Sequence, residues 1–336
     1  MDQTAQVTLA ERGTQKRTPT HCPICGRALF ATGLRGRDRL ITGDGPFEVM
    51  ECASCQFGLT DPQLSEEELA RYYPPEYYDF WGYSDRPPEN PLQRLLERFR
   101  TWSAERHYQH PPYVLDEGVT PGRMLDVGCG SGDLLEQFAK RGWETYGIDP
   151  SAAAAAAAAN RGARVHHGTL QDQPWSPGSF GLITFQHSLE HVPEPVEALK
   201  EARELLAPGG LLLIDVPNWG CWQRRLLFRR RWHPLELPRH LQHFSPRALE
   251  RLAGSLGLRV RSAGTSSNVP VAAYSLHYAL FGHMRGGWRL WLSYALGLLA
   301  YPLVLLGDRL GGGDVCFIVM QAPPQDVSGG PAAKGS

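Results

Sequence analysis

The spacing of apolar residues divides most of this chain into alternating strands and helices. From Arg123 onwards, short apolar runs typical of buried strands are each followed by a segment with helical periodicity. Pro208-Gly209-Gly210 is predicted to end the helix that precedes the fifth strand. This order predicts an α/β fold built on a doubly wound, Rossmann-like sheet.

Two later apolar segments, Leu258–Gly264 and Val315–Met320, are predicted to be strands six and seven and to pair antiparallel. About fifty residues separate them, well beyond ordinary loop lengths, so an insert lies between the two strands. Part of the insert, Trp288–Gly307, is apolar and matches the roughly 20 residues that span a bilayer.

A single membrane crossing would place strands six and seven on opposite sides of the bilayer, where they could not pair. We therefore expect the insert, about residues 270–310, to enter and return or not to cross. A hairpin of amphipathic helices at a membrane interface or a homodimer contact is one interpretation. The other is a helical cap over the active site.

Four cysteines near the N-terminus predict a metal site. Cys22 and Cys25 form one C-x-x-C pair, and Cys52 and Cys55 form a second one after 26 intervening residues. Two such turns complete a tetrahedral four-cysteine zinc site, although a redox dithiol or two disulfides are alternatives. Four thiolates leave no open coordination position, so the predicted Zn²⁺ is structural.

These patterns divide the chain into five parts. Residues 1–20 are polar and predicted to be disordered, residues 21–60 form the zinc ribbon, and residues 322–336 are a flexible tail. A connector at 61–119 begins with a capping box at Ser65, continues through an aromatic and proline-rich stretch, and ends in a predicted helix over Leu92–His107. Residues 120–321 contain the predicted sheet.

Composition narrows the environment and the partners. The 34 basic and 35 acidic residues leave a net charge of -1, which disfavours a nucleic-acid substrate. Seven cysteines without an N-terminal signal pattern indicate a reducing compartment. We expect a cytoplasmic protein, peripheral at the inner face of the membrane if the insert contacts lipid.

A glycine-rich turn marks the predicted ligand site. Gly128, Gly130 and Gly132 follow an apolar run and precede an amphipathic one, as in a strand that turns sharply into a helix. Glycine permits close approach of a ligand to the backbone. Asp149 ends the next strand, 17 residues beyond Gly132, where a carboxylate can bind a ribose diol. A Rossmann-like sheet that binds another nucleotide is the alternative interpretation.

The spacing G-x-G-x-G, together with the later acid, resembles motifs I and II of class I S-adenosylmethionine-dependent methyltransferases. In that family, the acid at Asp126 and the glycines hold the amino-acid end of the cofactor, and the acid at Asp149 holds the ribose. The resemblance implies contacts of S-adenosylmethionine with Asp126, Gly128, Cys129, Gly130, Gly132, Asp149, Pro150, Thr169, Leu170 and Gln186.

The segment from Gln186 to Pro193 resembles the LEHV-P-P signature of a methyltransferase group that includes quinone-biosynthesis and sugar O-methyltransferases. Three roles stay open for it. His187 or His191 is a general base, Glu190 and His191 bind a divalent ion, or the segment caps the next helix. The structural role is the simplest, because this turn recurs in the family with many substrates.

The segment from Leu237 to Pro246 resembles the H-E-H-L-x-x-F-S motif of zinc-ribbon-bearing deoxysugar C-methyltransferases. By that match His240 is the candidate base, on a loop rim ahead of a helix capped by Ser245, and His243 is a further candidate. Pro238 and Arg239 replace the family's first His and its Glu, which favours O-methylation over C-methylation.

The sequence as a whole predicts an S-adenosylmethionine-dependent methyltransferase with a small-molecule, sugar or glycan acceptor. Our specific hypothesis is O-methylation of a sugar, either free or linked to a lipid. Five arginines between Arg224 and Arg231 suit the phosphates of a nucleotide-sugar, a lipid pyrophosphate or nucleic acid, or form a solvated helix face. A catalytically inactive zinc-ribbon interaction protein and an RNA methyltransferase are the alternative functions.

Overall fold

The computed structural model describes residues 19–74, 76–77, 94, 108–109, 112–116, 118–267, 269–283 and 288–324. The strands are β1 (Leu29–Gly36), β2 (Phe47–Cys52), β3 (Gly58–Asp61), β4 (Arg123–Val127), β5 (Glu144–Asp149), β6 (Arg164–His167), β7 (Phe180–Gln186), β8 (Leu206–Pro217), β9 (Gln242–His243), β10 (Arg259–Ser266) and β11 (Val315–Gln321). The helices are α1 (Glu66–Ala70), α2 (Asp133–Ala139), α3 (Ala152–Asn160), α4 (Pro195–Leu205), α5 (Pro246–Leu256), α6 (Val269–Phe281) and α7 (Trp288–Arg309).

A seven-stranded sheet with the order β10-β11-β8-β7-β4-β5-β6 carries the fold. Strands β4 to β8 pair in parallel, and β11 lies antiparallel between β8 and β10. This arrangement confirms the predicted doubly wound sheet and its antiparallel last strands. The chain order reverses at β4, so the carboxyl ends of β4 and β7 border the crevice where open α/β sheets bind ligands.

Local signals in the sequence account for several element boundaries. The Ser65 side chain accepts a hydrogen bond from the backbone N–H of Glu68, and Glu68 completes the capping box in return. Ser151 and Ser245 cap α3 and α5 in the same manner, by accepting from the N–H groups of Ala154 and Ala248. The predicted helix over Leu92–His107 lies outside the described residues, apart from residue 94.

One predicted boundary is wrong. Helix α4 ends at Leu205, and strand β8 begins directly at Leu206 and continues through Pro208-Gly209-Gly210. The register between β7 and β8 shifts there, because Phe180 pairs with Leu206 whereas Leu182 pairs with Leu211. The glycine-rich turn therefore forms a bulge within the strand and does not terminate the helix.

A second sheet contains the N-terminal ribbon and one strand from the large domain. Its order is β1-β2-β3-β9, and β9 pairs Gln242 with Leu59 and His243 with Gly58. A Cβ on Gly58 would lie 2.9 Å from the Cβ of His243, so glycine is required for this close pairing. The ribbon thus shares a sheet with the segment that carries the candidate histidines.

The ribbon and the large domain also share a hydrophobic core. Phe57 and Leu59 of the ribbon belong to the same buried cluster as Phe185 and Ile214 of the large sheet. The rings of Phe57 and Phe244 pack edge to face, with centroids 5.4 Å apart. The ribbon is therefore a wall of the large domain and not an appended module.

A buried ion-pair network fixes the same contact. Arg239, which is 0% exposed, donates from Nη2 to Oδ1 of Asp38 at 2.8 Å and from Nε to Oε1 of Glu236 at 2.9 Å. Asp38 also accepts from the backbone N–H groups of Leu40, Ile41 and Thr42. Burial opposes the charge of Asp38, but Arg239 and these donors outweigh it and lower the pKa of the Asp38 carboxyl.

The insert between β10 and β11 consists of the helix pair α6 and α7. The two helices pack closely, since a Cβ on Gly297 would lie 2.9 Å from the Cβ of Ala273. The pair rests on the connection that follows β8. The backbone N–H of His233 donates to Oγ of Ser275 at 2.9 Å, and the His233 ring stacks on Tyr278 at 5.5 Å. Within the described part of the chain, no helix combines the length and apolar character needed to cross a bilayer.

Replacement of Asp38 by Asn should destabilise the fold, because it leaves the charge of Arg239 without one of its buried partners. We expect a loss of about 3–5 kcal/mol in the free energy of unfolding, measured by urea denaturation at pH 7. The folded pKa of Asp38 is lowered, so its contribution is present above the carboxyl's unfolded pKa and is lost as the pH falls through the folded value.

The matched control is Arg35→Ala, which breaks the ion pair of Arg35 with Glu48 at 3.0 Å, where 70% of the arginine side chain is exposed. That variant should lose less than about 1 kcal/mol. Equal losses in the two variants would show that the Arg239 network does not hold the ribbon in place.

Candidate functional site

The turn between β4 and α2 has a backbone that only glycine adopts easily. Gly128, Gly130 and Gly132 have φ angles of 75°, 53° and 82°. A Cβ on Gly128 would lie 2.5 Å from the Cβ of Ser188, and one on Gly132 would lie 2.9 Å from that of Ala158. The predicted glycine turn is present, and it forms a half-buried cradle at the end of β4.

Two buried carboxylates stand beside this cradle. Oδ1 of Asp126 accepts a hydrogen bond from Oγ1 of Thr184 at 2.6 Å. Oδ2 of Asp149 accepts from the N–H of Gly130 at 3.0 Å, and Oδ1 accepts from the N–H of Ser151 at 2.8 Å. Asp149 therefore ties the glycine turn to the end of β5, a role that the sequence did not reveal.

Burial gives these acids an unusual affinity for protons. Desolvation raises the pKa of Asp126 to about 8, against the hydrogen bond from Thr184 and with a further increase from the charge of Asp149. Desolvation also raises the pKa of Asp149. Such a pair favours a ligand that brings positive charge, and S-adenosylmethionine carries an ammonium group and a sulfonium. The acids and the glycine cradle therefore fit the cofactor that the resemblance implies.

The other predicted cofactor residues lie at or just beyond the carboxyl ends of β4, β5, β6 and β7. Cys129 is buried with its sulfur against Gly147, so its backbone and not its thiol borders the turn. Pro150 follows Asp149 and is exposed, and its carbonyl oxygen lies 3.1 Å from Nε2 of His167. Thr169 is exposed beside buried Leu170 in the loop after β6.

Asp172 lies in the loop after β6, and Gln186 lies at the end of β7. The carboxylate of Asp172 accepts a hydrogen bond from the N–H of Thr169 at 2.6 Å, so it closes the loop after β6. Gln186 ends β7, with its side chain 3.3 Å from the hydroxyl of Tyr108. The Tyr113 hydroxyl donates a hydrogen bond to Asp215, which is buried on the neighbouring strand β8.

A second cluster of chemically active side chains begins directly after β7. His187 has a φ of 48°, which is unusual for a residue other than glycine, and its N–H donates to the carbonyl of Asp215 at 2.8 Å. Its Nδ1 lies 3.6 Å from Oε1 of Glu190. Partial desolvation disfavours the charge of His187, whose side chain is 39% exposed, but the attraction of Glu190 and Asp215 outweighs it and raises the pKa of His187 to about 9.

Glu190 is buried in this cluster. Its side chain is 2% exposed, and among the described residues neither carboxylate oxygen has a hydrogen-bond partner. Its backbone carbonyl accepts from the N–H of Leu241, which joins the cluster to the segment that contains His240. The protonated ring of His187, 3.6 Å from Oε1, supplies a positive charge that compensates this buried carboxylate.

His191 and His240 lie next to Glu190, with ring centroids 4.7 Å apart. Nδ1 of His191 is 3.1 Å from the carbonyl oxygen of Arg239 and 2.9 Å from the hydroxyl of Tyr73. Nδ1 of His240 is 2.8 Å from the carbonyl oxygen of Pro234. The structure thus brings His187, His191 and His240 together, and it adds Tyr73, which the sequence did not single out.

His240 does not face the crevice from an open rim, as the sequence suggested, because its side chain is buried. Burial, reinforced by His191 and His243, holds the pKa of His240 well below its usual range, so the ring is neutral near pH 7. Its Nε2 lies 3.6 Å from Oε2 of Glu236.

His243 occupies a different place, between the two sheets. Its Nε2 lies 3.0 Å from Oγ1 of Thr60, and its ring packs on Trp219 at 5.0 Å. Burial, with a further effect of Arg224, lowers the pKa of His243 to about 3. These contacts attach the ribbon to the large domain.

The arginines between Arg224 and Arg231 divide into two groups. Arg224 is buried, donates from Nε to the carbonyl of Trp219, and lies over the Trp219 ring at 3.6 Å. Arg225, Arg229, Arg230 and Arg231 are exposed. Leu226 and Leu227, which are 73% and 59% exposed, stand among them.

The four cysteines of the ribbon converge as their spacing predicted. Sγ of Cys22 lies 3.5 Å from that of Cys55, and Sγ of Cys25 lies 3.5 Å from Cys52 and 3.7 Å from Cys55. A tetrahedral site with Zn–S bonds of about 2.3 Å has sulfurs roughly 3.8 Å apart. These separations fit a metal and exceed the bond of about 2.05 Å in a disulfide.

Comparison with known proteins places residues 94–263 within the family model described as "Methyltransferase domain". Curated relatives include ubiquinone biosynthesis O-methyltransferases. The protein from Aeromonas salmonicida (strain A449) is 27% identical over 167 residues, which cover 46% of this chain and 70% of the relative. The protein from Colwellia psychrerythraea is 33% identical, with 46% and 65% covered. The Pseudomonas aeruginosa (strain LESB58) protein is 32% identical over 108 residues, so the match spans about half of that relative, 47%.

Solved structures with a similar fold include a methyltransferase from Thermotoga maritima described as a possible histamine N-methyltransferase. Its TM-score is 0.46 at 20% identity, with 68% of this chain and 96% of that chain covered. The geranyl diphosphate C-methyltransferase from Streptomyces coelicolor A3(2) has a TM-score of 0.45 at 18% identity, with 70% and 85% covered.

Replacement of Asp126 by Asn should stabilise the ligand-free protein while weakening cofactor binding. The folded pKa of about 8 lies above the unfolded value of roughly 3.9, so the wild type loses up to about 1.4 kcal/mol per pH unit between those values. The variant cannot ionise and should lose this slope. We expect a higher Tm for the variant at pH 8.5 and nearly equal values at pH 4, with about tenfold weaker S-adenosylmethionine binding by calorimetry.

Asp133→Asn is the control, because Asp133 is an exposed acid that begins the neighbouring helix. It should change neither the pH slope nor the cofactor affinity appreciably. If the Tm of the Asp126→Asn variant depends on pH as strongly as the Tm of the wild type, the raised pKa of Asp126 is contradicted.

Proposed function

The chain belongs to the class I S-adenosylmethionine-dependent methyltransferases, and on that basis we propose that it methylates a hydroxyl oxygen of a small, lipid-linked acceptor. The family membership supplies the cofactor and the reaction type. The geometry around Glu190 and the composition of the nearby surface support the choice of acceptor.

The observation that carries the proposal is the contact between the cofactor turn and the histidine cluster. Ser188 packs directly on Gly128, and its Oγ donates to the carbonyl of Val127. His187 and Glu190 flank Ser188 in the same short turn. A group held by the cluster would therefore lie beside the glycine cradle, as an in-line transfer requires.

When bound, S-adenosylmethionine supplies a methyl group that is already activated on a sulfonium. The residues of the chain position the acceptor and remove its proton. The cluster would hold the acceptor hydroxyl beside the glycine cradle and take up its proton, while the cofactor would supply the methyl carbon for the new O–C bond and keep the electron pair of the broken C–S bond on sulfur. We propose that the histidine cluster accepts this proton. His240 is the buried, neutral member of the cluster. His243 is given a structural role.

The nature of the acceptor is inferred from two lines of support. The curated relatives are named for O-methylation in ubiquinone biosynthesis, whereas the sugar acceptor suggested by the sequence receives no support from them. Exposed Leu226 and Leu227 stand among exposed arginines, which suits an acceptor with an apolar chain near anionic headgroups. A hydroxylated small molecule that carries a lipid chain agrees with both the named relatives and the surface around Leu226.

The four-cysteine cluster is proposed to hold a structural Zn²⁺. Cys22, Cys52 and Cys55 are buried, and Cys25 is half-buried, so the site is closed. The ribbon packs against the segment that carries His240, through Thr60 Oγ1, which donates to the His240 carbonyl at 2.6 Å. The metal would thus act on catalysis only through the shape of the acceptor pocket.

The proposal is tested by transfer of radiolabelled methyl into a host-cell extract that is separated into lipid, polysaccharide, aqueous and nucleic-acid fractions. Label in the lipid fraction is expected for the wild type. Asp149→Ala should lose label through weak cofactor binding, and His240→Ala should lower turnover by about 100-fold or more while cofactor affinity stays nearly constant. Label in polysaccharide or nucleic acid would refute the lipid-linked acceptor, and absence of label with cofactor bound would favour an inactive interaction module.

Contact with a membrane is tested by flotation with vesicles that contain phosphatidylglycerol. We expect the full-length protein to rise with the vesicles and the double variant Leu226→Asp/Leu227→Asp to stay behind, since both leucines are largely exposed. Phe30→Asp is the matched control, because Phe30 is 60% exposed on the ribbon. If the wild type remains at the bottom of the gradient, the surface around Leu226 does not bind lipid.

A further inference from the structure

Two distant segments of the chain bring arginines to one surface of the protein. Arg37 and Arg39 lie in the loop between β1 and β2 of the ribbon, whereas Arg230 and Arg231 lie in a single helical turn, Arg229–Arg231, in the connection after β8. This turn contacts strand β1. The ribbon and the connection therefore contribute two arginines each to the same region.

The acids of the ribbon loop are already paired with other cations. Asp38, which lies between the two ribbon arginines, is 1% exposed and forms its ion pair with Arg239 at 2.8 Å. The carboxylate of Asp44, on the same loop, lies 3.5 Å from Nη2 of Arg71. The positive charge of the four arginines is thus not cancelled by these neighbours.

Arg39 is half-buried and is held in place by neutral groups. Its Nη1 donates to the carbonyl oxygen of Gly282 at 3.4 Å, and its guanidinium carbon lies 5.6 Å from the centre of the Tyr278 ring. Desolvation lowers the pKa of Arg39, Tyr278 opposes this shift, and the charges of the other three arginines lower the pKa further. The repulsion shows that the four cations act on one another at close range.

Several guanidinium groups on one surface match the chemistry of a phosphate. Each guanidinium presents its N–H donors in a planar fork that fits two phosphate oxygens. A phosphate monoester carries about 1.5 to 2 negative charges near pH 7 and three acceptor oxygens, so it can accept from more than one arginine. A ligand of this class would offset the repulsion among the four cations.

We propose that Arg37, Arg39, Arg230 and Arg231 form a phosphate-binding site between the ribbon and the connection after β8. The ribbon then takes part in ligand recognition in addition to its packing role. The inference goes beyond the proposed function, because phosphate binding needs neither the cofactor nor the transfer of a methyl group. A dissolved phosphate ester and a lipid headgroup share this chemistry, and the experiment below separates the two sources.

The test is binding of inorganic pyrophosphate to the full-length protein by calorimetry, in dilute buffer and without S-adenosylmethionine. Wild type should bind one equivalent, and its Tm should rise with the pyrophosphate concentration. Arg39→Gln and Arg231→Gln should each weaken binding by about tenfold or more, because each loses charge-assisted hydrogen bonds. Arg231 is exposed, so its variant keeps the test valid if Arg39→Gln fails to fold.

The matched control is Arg247→Gln, which removes an exposed arginine on α5 and should bind pyrophosphate like wild type. Failure of the wild type to bind pyrophosphate and phosphatidic acid would overturn the site. Equal weakening in Arg231→Gln and Arg247→Gln would also overturn it, since binding would then depend only on the total charge of the protein.

Vesicles identify the source of the phosphate. Phosphatidylcholine vesicles with phosphatidic acid, whose headgroup is a phosphate monoester, are compared with vesicles that contain phosphatidylserine at the same surface charge. Preference for phosphatidic acid that is lost in Arg231→Gln supports the site and assigns it to a lipid headgroup. Pyrophosphate binding without that preference supports the site and assigns it to a dissolved phosphate ester. Equal binding of both vesicles without binding of pyrophosphate would overturn it.

Discussion

The burial of Arg239 between Asp38 and Glu236 is the interaction on which the rest of this structure depends. Asp38 belongs to the ribbon, whereas Glu236 and Arg239 precede the histidines of the large domain. A buried charge is tolerated only while its partners stay in place, so the ribbon and the segment 236–245 are held in one arrangement. The ribbon therefore fixes the position of the segment that carries His240.

The acids beside the end of β4 differ from the Arg239 network, because their burial disfavours the charged form and raises the pKa of both. Asp126 and Asp149 are both buried and face one another's charge. The glycine turn beside them has three positive φ angles. Local strain and buried charge of this kind collect where a ligand is bound, and the packing of the sheet compensates for them. A cationic ligand bound here would offset the cost of burying the charges of these two acids.

The sequence could predict the elements that depend on local signals. The glycine turn, the caps at Ser65, Ser151 and Ser245, and the convergence of the four cysteines all follow from short-range spacing. The order of the central strands follows from the alternation of strands and helices, because right-handed crossovers admit few topologies.

What the sequence could not predict depends on contacts between distant segments. His243 reads as a candidate base, but its partner Thr60 lies 183 residues away. In the sequence, Arg239 is only a departure from a family motif. Its ion pair with Asp38 becomes visible only in the folded structure. The bulge at Gly209 replaces a helix end, because pairing of β8 with β7 outweighs the local tendency of Pro-Gly-Gly to terminate a helix.

The pairing of β9 with β3 has a consequence for the solubility of the separate parts. In the small sheet, β9 covers an edge of β3 that would otherwise present unpaired N–H and C=O groups. A ribbon cut away from the chain would expose that edge together with Phe57 and Leu59. Such an edge is a template for aggregation. The ribbon is therefore expected to stay soluble only when it is expressed together with the large domain.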